Sequence, residues 1–288
     1  MNIAVASGKG GTGKTTVATS LAQSIPDHRV AFLDCDVEAP DAHLFLHPDI
    51  EQTQETTLSV PQVDAQRCVG HQRCAHVCQY HAIVCMDGQP LVFPELCHGC
   101  GSCSLNCPEG AISEIPRSIG LLERGFTADN IQFARGILKV GEPMAVPVIR
   151  QLKAWVINQS AEVYICDSPP GTSCPVVESV RGADFVLLVS EPTPFGLHDL
   201  KLAVRMVTEL DIFFGVILNR CGIGNLEVEK YCADQGIPIL MRIPMDRRIA
   251  TILSNGSTLV NSLPGYKHAF SSLFTRIMDM VEVKAGVL

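Results

Sequence analysis

Four cysteines in CHGCGSCSLNCP (97–108) have the spacing C-x2-C-x2-C-x3-C, with proline next. Thiolates so spaced each reach one iron of an iron–sulfur group, and where two clusters are present the fourth thiolate serves the other cluster. Zinc usually takes two cysteine pairs set apart by a longer spacer. The run therefore reads as a [4Fe-4S] motif, with zinc as the alternative. Twenty-nine residues earlier, CVGHQRCAHVCQ (68–79) repeats the pattern, but His71 stands at one cysteine position and Gln79 at the proline position. Crossed ligation assigns Cys97, Cys100, Cys103 and Cys78 to one cluster. It assigns Cys68, Cys74 and Cys107 to the other, with His71 at the remaining corner. That corner has three readings: His71 ligates iron, the corner is open and the group is [3Fe-4S] or has a labile iron, or the first run holds no cluster. His76, His81 and His98 are nearby donors, and spacing does not choose among these readings.

A second chemistry lies at the start of the chain. GKGGTGKT (8–15) fits G-x-x-x-x-G-K-[ST], with Gly8, Gly13, Lys14 and Thr15 in register. Gly10, Gly11, Thr12 and Thr16 complete a loop whose backbone N–H groups can turn toward phosphate. In such a loop the lysine reaches the β- and γ-phosphates and the hydroxyl after it binds Mg2+. ATP and Mg2+ are the expected ligands.

Lys9, near the start of the same loop, makes KGGTGKT. This resembles the deviant Walker A motif of the MinD/ParA ATPases, a family that includes the nitrogenase iron protein and the cluster-carrier ATPases of iron–sulfur assembly. The resemblance implies that Lys9 reaches across a dimer interface to the partner's nucleotide. The partner is then a second copy or a paralogous ATPase. LDCDVEAPDAHLFL (33–46) resembles the first switch segment. Asp36 matches the carboxylate that orients the attacking water, and Asp34 matches a residue near the magnesium or, more simply, a strand-end cap. YICDSPPGTSCP (164–175) resembles the Walker B strand and second switch, with Asp167 in the Mg2+ shell and the Gly171 N–H offered to the γ-phosphate. LNRC (218–221) and IPMD (243–246) match the adenine-side positions, so Asn219, Pro244 and Asp246 are expected near base and ribose. An Asn after a strand is also an ordinary turn residue. The cluster carriers have a C-x-x-C pair in the C-terminal half, and this sequence has none there, which argues against a cluster bridging two subunits.

Strands and helices must position these motifs. NIAVAS, RVAFLD, VYICD, DFVLLVS, FFGVILN and IPILMR are short apolar runs separated by helical patterns at 15–24, 195–210 and 226–235. That alternation predicts an α/β fold, a mostly parallel, doubly wound P-loop NTPase sheet. The cysteine-rich stretch breaks the rhythm and reads as an inserted ferredoxin-like α+β domain over 59–116, with the ATPase domain formed by 1–58 and 117–288. Seven of the thirteen cysteines lie in the two runs. Most of the others, Cys35, Cys85, Cys166, Cys221 and Cys232, lie on apolar patterns where a thiol packs as a small hydrophobe. Cys174 lies beside the second switch.

The net charge of −8 and the lack of a Lys/Arg run argue against nucleic acid. The N-terminus lacks a leader pattern and no long apolar stretch occurs, so a cytoplasmic protein is expected. The tail 270–288 has a helical pattern without basic excess, which argues against a membrane. Three functions fit: ATP-gated electron transfer to an unidentified redox partner, an iron–sulfur scaffold or carrier with a cluster-accepting partner, or a redox-sensing switch.

Overall fold

The computed structural model describes residues 1–156 and 161–286. Its strands are β1 (Asn2–Ala6), β2 (Val30–Asp34), β3 (Asp49–Val63), β4 (Ile83–Met86), β5 (Gln89–Val92), β6 (Ile112–Phe126), β7 (Gln132–Leu138), β8 (Val163–Asp167), β9 (Phe185–Ser190), β10 (Phe213–Cys221) and β11 (Ile239–Pro244). One nine-stranded sheet has the order β11-β10-β9-β1-β8-β2-β7-β6-β3. The pairings from β11 to β7 are parallel, whereas β6 pairs antiparallel with both β7 and β3.

The parallel strands are apolar on both faces because helices cover both. On β1, Ile3 and Val5 join Val17, Leu21 and Phe270 in one core, while Ala4 and Ala6 join Val148, Leu152, Val176 and Leu200 in the other. The expected helices occupy Lys14–Ala22, Pro194–Glu209 and Glu227–Asp234, and the tail forms Pro264–Ala285. The last two residues of the expected tail helix, 287 and 288, lie outside the described residues.

β3, β6 and β7 have no counterpart among the expected strands. In DIEQTQETTLSVPQV the pairing with β6 runs the length of the strand with register shifts at Ile50/Gln52 and Thr56/Thr57, yet most side chains are exposed, so no apolar alternation marks the strand. β3 is the sheet edge, which is where Pro61 can sit without losing a ladder bond. Only the second half of β6, from Gly120, pairs with β7. The first half leaves the sheet as a two-stranded ribbon with β3 and carries residues 64–111 at its tip. The expected boundaries at 58/59 and 116/117 fall within these two strands. The ribbon root is held by buried Ile119 and Leu122, by Arg124 lying 4.3 Å over the Trp155 ring, and by Gln151, whose amide donates to the Thr57 carbonyl at 3.0 Å.

At the tip, the 29-residue repeat is also a repeat of backbone shape. Gly70, Gln72 and His81 have positive φ, and so do Gly99, Gly101 and Gly110, each 29 residues later. Short helices Arg73–Val77 and Ser102–Leu105 follow equivalent positions. The Ala82 N–H donates to Cys78 Sγ and the Ala111 N–H to Cys107 Sγ, both at 3.3 Å. The first half thus keeps the conformation of the second, although Gln72 and His81 must adopt a left-handed backbone that glycine takes more readily.

Leu122→Ala should destabilise the protein by about 2–5 kcal/mol in denaturant melts, because it opens a cavity where ribbon and sheet join. Leu121→Ala, on the exposed side of the same strand, should cost no more than about 0.5 kcal/mol. Equal losses would mean the ribbon root is not packed as described.

Candidate functional site

β1 ends in the loop Ser7–Gly13, which turns into the helix Lys14–Ala22. Three constraints shape it. A Cβ on Gly8 would stand 2.1 Å from the Asp199 carbonyl oxygen, so only glycine allows this approach to helix Pro194–Glu209. Gly11 and Gly13 have φ of 75° and 95°, which favours glycine. Asn219, at the end of β10, donates its amide to the Thr12 carbonyl at 2.7 Å, and its Oδ1 accepts from the Arg220 N–H. Asn219 therefore clamps the loop, and one N–H of its amide remains for a further acceptor. Gly10, Gly11, Gly13, Lys14, Thr15 and Thr16 line a cleft of about 410 Å³. Asp36, Asn219, Pro244 and Asp246 line it too, and Asp246 also caps the helix Arg247–Ser254 by accepting from the Arg248 N–H at 2.8 Å.

The carboxylates cluster at the carboxyl end of the sheet. Asp34 and Asp167 are paired neighbours on β2 and β8, and both are buried. Asp34 is held by the Asp36 N–H at 3.2 Å and the Ala42 N–H at 3.0 Å, so it folds the segment 36–42 over itself and does not line the cleft. Burial first, and the charge of Asp167 second, raise its pKa well above the usual carboxylate range. Asp167 is different. Burial pushes its pKa up to about 7, against the pull of the Thr15 hydroxyl and Lys14. The Thr15 hydroxyl stands beside it without good hydrogen-bond geometry, and both Asp167 oxygens lack a partner. Thr12 Oγ1 and Ser168 Oγ are likewise buried and unpartnered. Orphaned oxygens beside a phosphate-type loop fit a divalent cation and its ligands, which Thr15 and Asp167 would hold. Asp36 is half-buried, and burial, eased by Lys14, leaves it at about 6.

Lys9 is not free in the single chain. Its ammonium pairs with Glu191, which also accepts from Arg220 at 3.0 Å. Arg220 donates to the Gly11 carbonyl at 2.9 Å as well. Burial raises Glu191, but Lys9 and Arg220 outweigh it and hold its pKa below the usual value. Glu191, Arg220 and Asp41, which lines the cleft, were not singled out from the sequence. A lone acid after a strand has no distinguishing spacing, although Asp41 does lie within the first switch segment.

The cysteines gather in two cavities at the ribbon tip. Cys78, Cys97, Cys100 and Cys103 line one, with Tyr80, His98 and Glu114. Cys68, His71, Cys74 and Cys107 line the other. Each cavity thus draws three positions from one half of the repeat and one from the other. Gly99 N–H donates to Cys97 Sγ at 3.4 Å, so backbone donors face sulfur in both cavities. Among the described residues, no three His, Cys, Asp or Glu side chains converge as ligands of a single metal ion; the thiols stand around a space. No helix among the described residues is long and apolar enough to cross a membrane.

Residues 3–260 match the model of the CobQ/CobB/MinD/ParA nucleotide-binding domain. The chain belongs to that family. An uncharacterized protein of Methanocaldococcus jannaschii is 32% identical over 271 residues, covering 92% of this chain and 94% of that protein. The iron–sulfur cluster carrier protein of the same organism is 24% identical over 300 residues, covering 98% and 85%. Among solved structures, the septum site-determining protein MinD of Pyrococcus horikoshii, complexed with Mg-ADP, superposes with a TM-score of 0.57 at 18% identity, covering 99% of this chain and 97% of that one. The MinD/ParA fold is thus the frame of the cleft: a mostly parallel α/β sheet with its phosphate-type loop after the first strand.

The raised pKa of Asp167 has a consequence for stability. A carboxyl that titrates near 7 when folded and near 3.8 when unfolded penalises the folded state above pH 7, and the penalty vanishes below about pH 4. Asp167→Asn should therefore stabilise the nucleotide-free chain by on the order of a few kcal/mol at pH 8 and hardly at all at pH 4. Urea melts at the two pH values measure this. A gain independent of pH would remove the charge as its cause.

Proposed function

We propose that this protein is a Mg2+-dependent ATPase of the MinD/ParA type that couples its nucleotide state to electron transfer through iron–sulfur clusters held in the ribbon-tip lobe. The observation that carries the proposal is the sorting of the cysteines: each cavity is lined by a crossed set, Cys78 with Cys97, Cys100 and Cys103, and Cys107 with Cys68 and Cys74. Thiols standing around a cavity, one per corner, suit a multi-iron group better than a single zinc ion bound at about 2.3 Å. When bound, such a cluster supplies one-electron chemistry at a potential set by charge and by N–H···S bonds. The first cavity has four thiols, as a resident [4Fe-4S] group requires, and the second has three with His71.

At the other end, Lys14 would serve the β- and γ-phosphates, Thr15 and Asp167 the cation, and Asp36 the attacking water; Lys14, Thr15 and Asp36 line the cleft, which supports this reading. Mg2+ there would neutralise phosphate charge. The name of the Pyrococcus horikoshii neighbour, with its Mg-ADP, supports this reading. Phe45, Met245, Ile249 and Leu253 give the cleft an apolar side suited to a base. Lys9, released from Glu191, would reach a second copy or a paralogous subunit, so dimerisation is coupled to nucleotide.

The coupling route is short. Asp34 holds segment 36–42, the helix His43–Leu46 follows, and β3 leaves directly for the lobe. A shift of the segment on the nucleotide therefore reaches the ribbon within one short helix. A carrier role is the second reading, favoured by the name of the Methanocaldococcus jannaschii carrier; its partner would be an apo acceptor protein.

After anaerobic reconstitution, an EPR-monitored titration should show Mg-ATP moving at least one midpoint by about 60 mV, a tenfold coupling for a one-electron couple. Lys14→Ala should abolish both ATP binding and the shift. Lys9→Ala should bind ATP but fail to form the ATP-dependent dimer in light scattering. Unmoved midpoints combined with ATP-dependent cluster transfer to an apo-ferredoxin would replace electron transfer with the carrier role.

A further inference from the structure

An eighth cysteine lies in the lobe, outside both runs. Cys85 is on β4, on the same face as Ile83, and packs in one apolar cluster with Cys74, Cys103, Cys107 and Ile112. Its cross-strand partner on β5 is Pro90, and Pro90 lines the cavity of Cys68, His71, Cys74 and Cys107. The turn joining β4 to β5 touches the His71 loop: a Cβ on Gly70 would stand 3.0 Å from the Gly88 carbonyl oxygen. Asp87 and Gly88 both have positive φ, as a tight two-residue hairpin turn requires.

The repeat gives an independent bearing on the same place. Twenty-nine residues after Cys85 is Glu114, which lines the other cavity and accepts from the Ser104 hydroxyl at 2.6 Å. By the symmetry of the lobe, position 85 corresponds to a place beside the cavity whose corner carries His71, and its cross-strand partner Pro90 does line that cavity. Cys85 is not among the residues that line the cavity; it packs as a small hydrophobe in the same apolar cluster as Cys74, directly behind the lining.

We propose that Cys85 is an alternative ligand for the second iron–sulfur group, taking the iron at the His71 corner when His71 releases it. The inference rests on the iron–sulfur reading above. In the exchange the bond from iron to the His71 nitrogen breaks, a bond from the same iron to Cys85 sulfur forms, and the thiol proton passes to solvent. No oxidation state changes. A neutral imidazole gives way to a thiolate, so the group gains one negative charge and its potential falls. The lobe would then have two settings of one centre, selected by ligand exchange.

The test compares wild type, His71→Ala, Cys85→Ser and the double variant, each reconstituted anaerobically with ferrous iron and sulfide and studied by iron analysis, Mössbauer and EPR. His71→Ala should keep two four-iron centres, with the second midpoint unequal to that of Cys85→Ser. The double variant should lose one of about eight irons and show a three-iron signal. The signal of the Cys97 group, unchanged throughout, reports that each variant is folded. If His71→Ala alone already gives the three-iron signal, or if the double variant keeps both four-iron centres, the proposal is overturned while the iron–sulfur reading stands. A wild-type chain that takes up no iron and sulfide overturns both.

Discussion

Two buried carboxylates that face each other across neighbouring strands set the terms for the nucleotide end of this molecule. Asp34 and Asp167 share one register position on β2 and β8, where burial opposes ionisation of both and the charge of Asp167 adds to it at Asp34. The chain resolves the conflict asymmetrically. Asp34 receives two backbone N–H groups and is absorbed into the fold of the segment 36–42, whereas Asp167 is left without partners. An unpartnered buried carboxylate is costly, and the cost is relieved when a cation arrives.

The same segment that Asp34 folds also meets β7, since the Leu138 N–H donates to the Val37 carbonyl at 2.8 Å. β7 carries β6, and β6 carries the lobe. The strand leaving the nucleotide segment and the strand returning from the lobe are thus parts of one hydrogen-bonded system. The ribbon root is packed against helix Val146–Val156, and Arg117 pairs with Glu142 at 2.6 Å near the point where the ribbon leaves the sheet. Beyond that point the lobe depends mainly on its own small core of Cys74, Ile83, Cys103 and Ile112. That core is built partly from the thiols themselves.

What was legible in the sequence was local or repeated. The phosphate-type loop is contiguous, so its glycines, Lys14 and Thr15 declare themselves together. The crossed cysteine sets could be read because the second run fixes a spacing that the first run copies. The ribbon could not be read: β3 is polar on both faces because water is on both faces, and a strand without apolar alternation looks like a linker. Asn219 has an identity that suits a base, yet here its amide spans 207 residues of sequence to hold Thr12. Glu191 matters only because the fold brings Lys9 and Arg220 to it, and no spacing encodes that meeting. Cys85 reads as core in the sequence and does pack in the small apolar cluster of the lobe; only the hairpin shows that its neighbour there is Cys74.

Thr57 and Ser118 are paired opposite each other where the ribbon leaves the sheet. The whole lobe therefore enters and leaves the host through two adjacent points of one hairpin. Lengthening a hairpin at its tip leaves every parallel strand, crossover and switch loop of the host in place, and closing a longer loop adds only a slowly growing entropic cost. A nucleotide-binding domain can in this way carry an added lobe without a broken topology. Only the two strands of that hairpin, at the edge of the sheet, join the lobe to the nucleotide-binding frame.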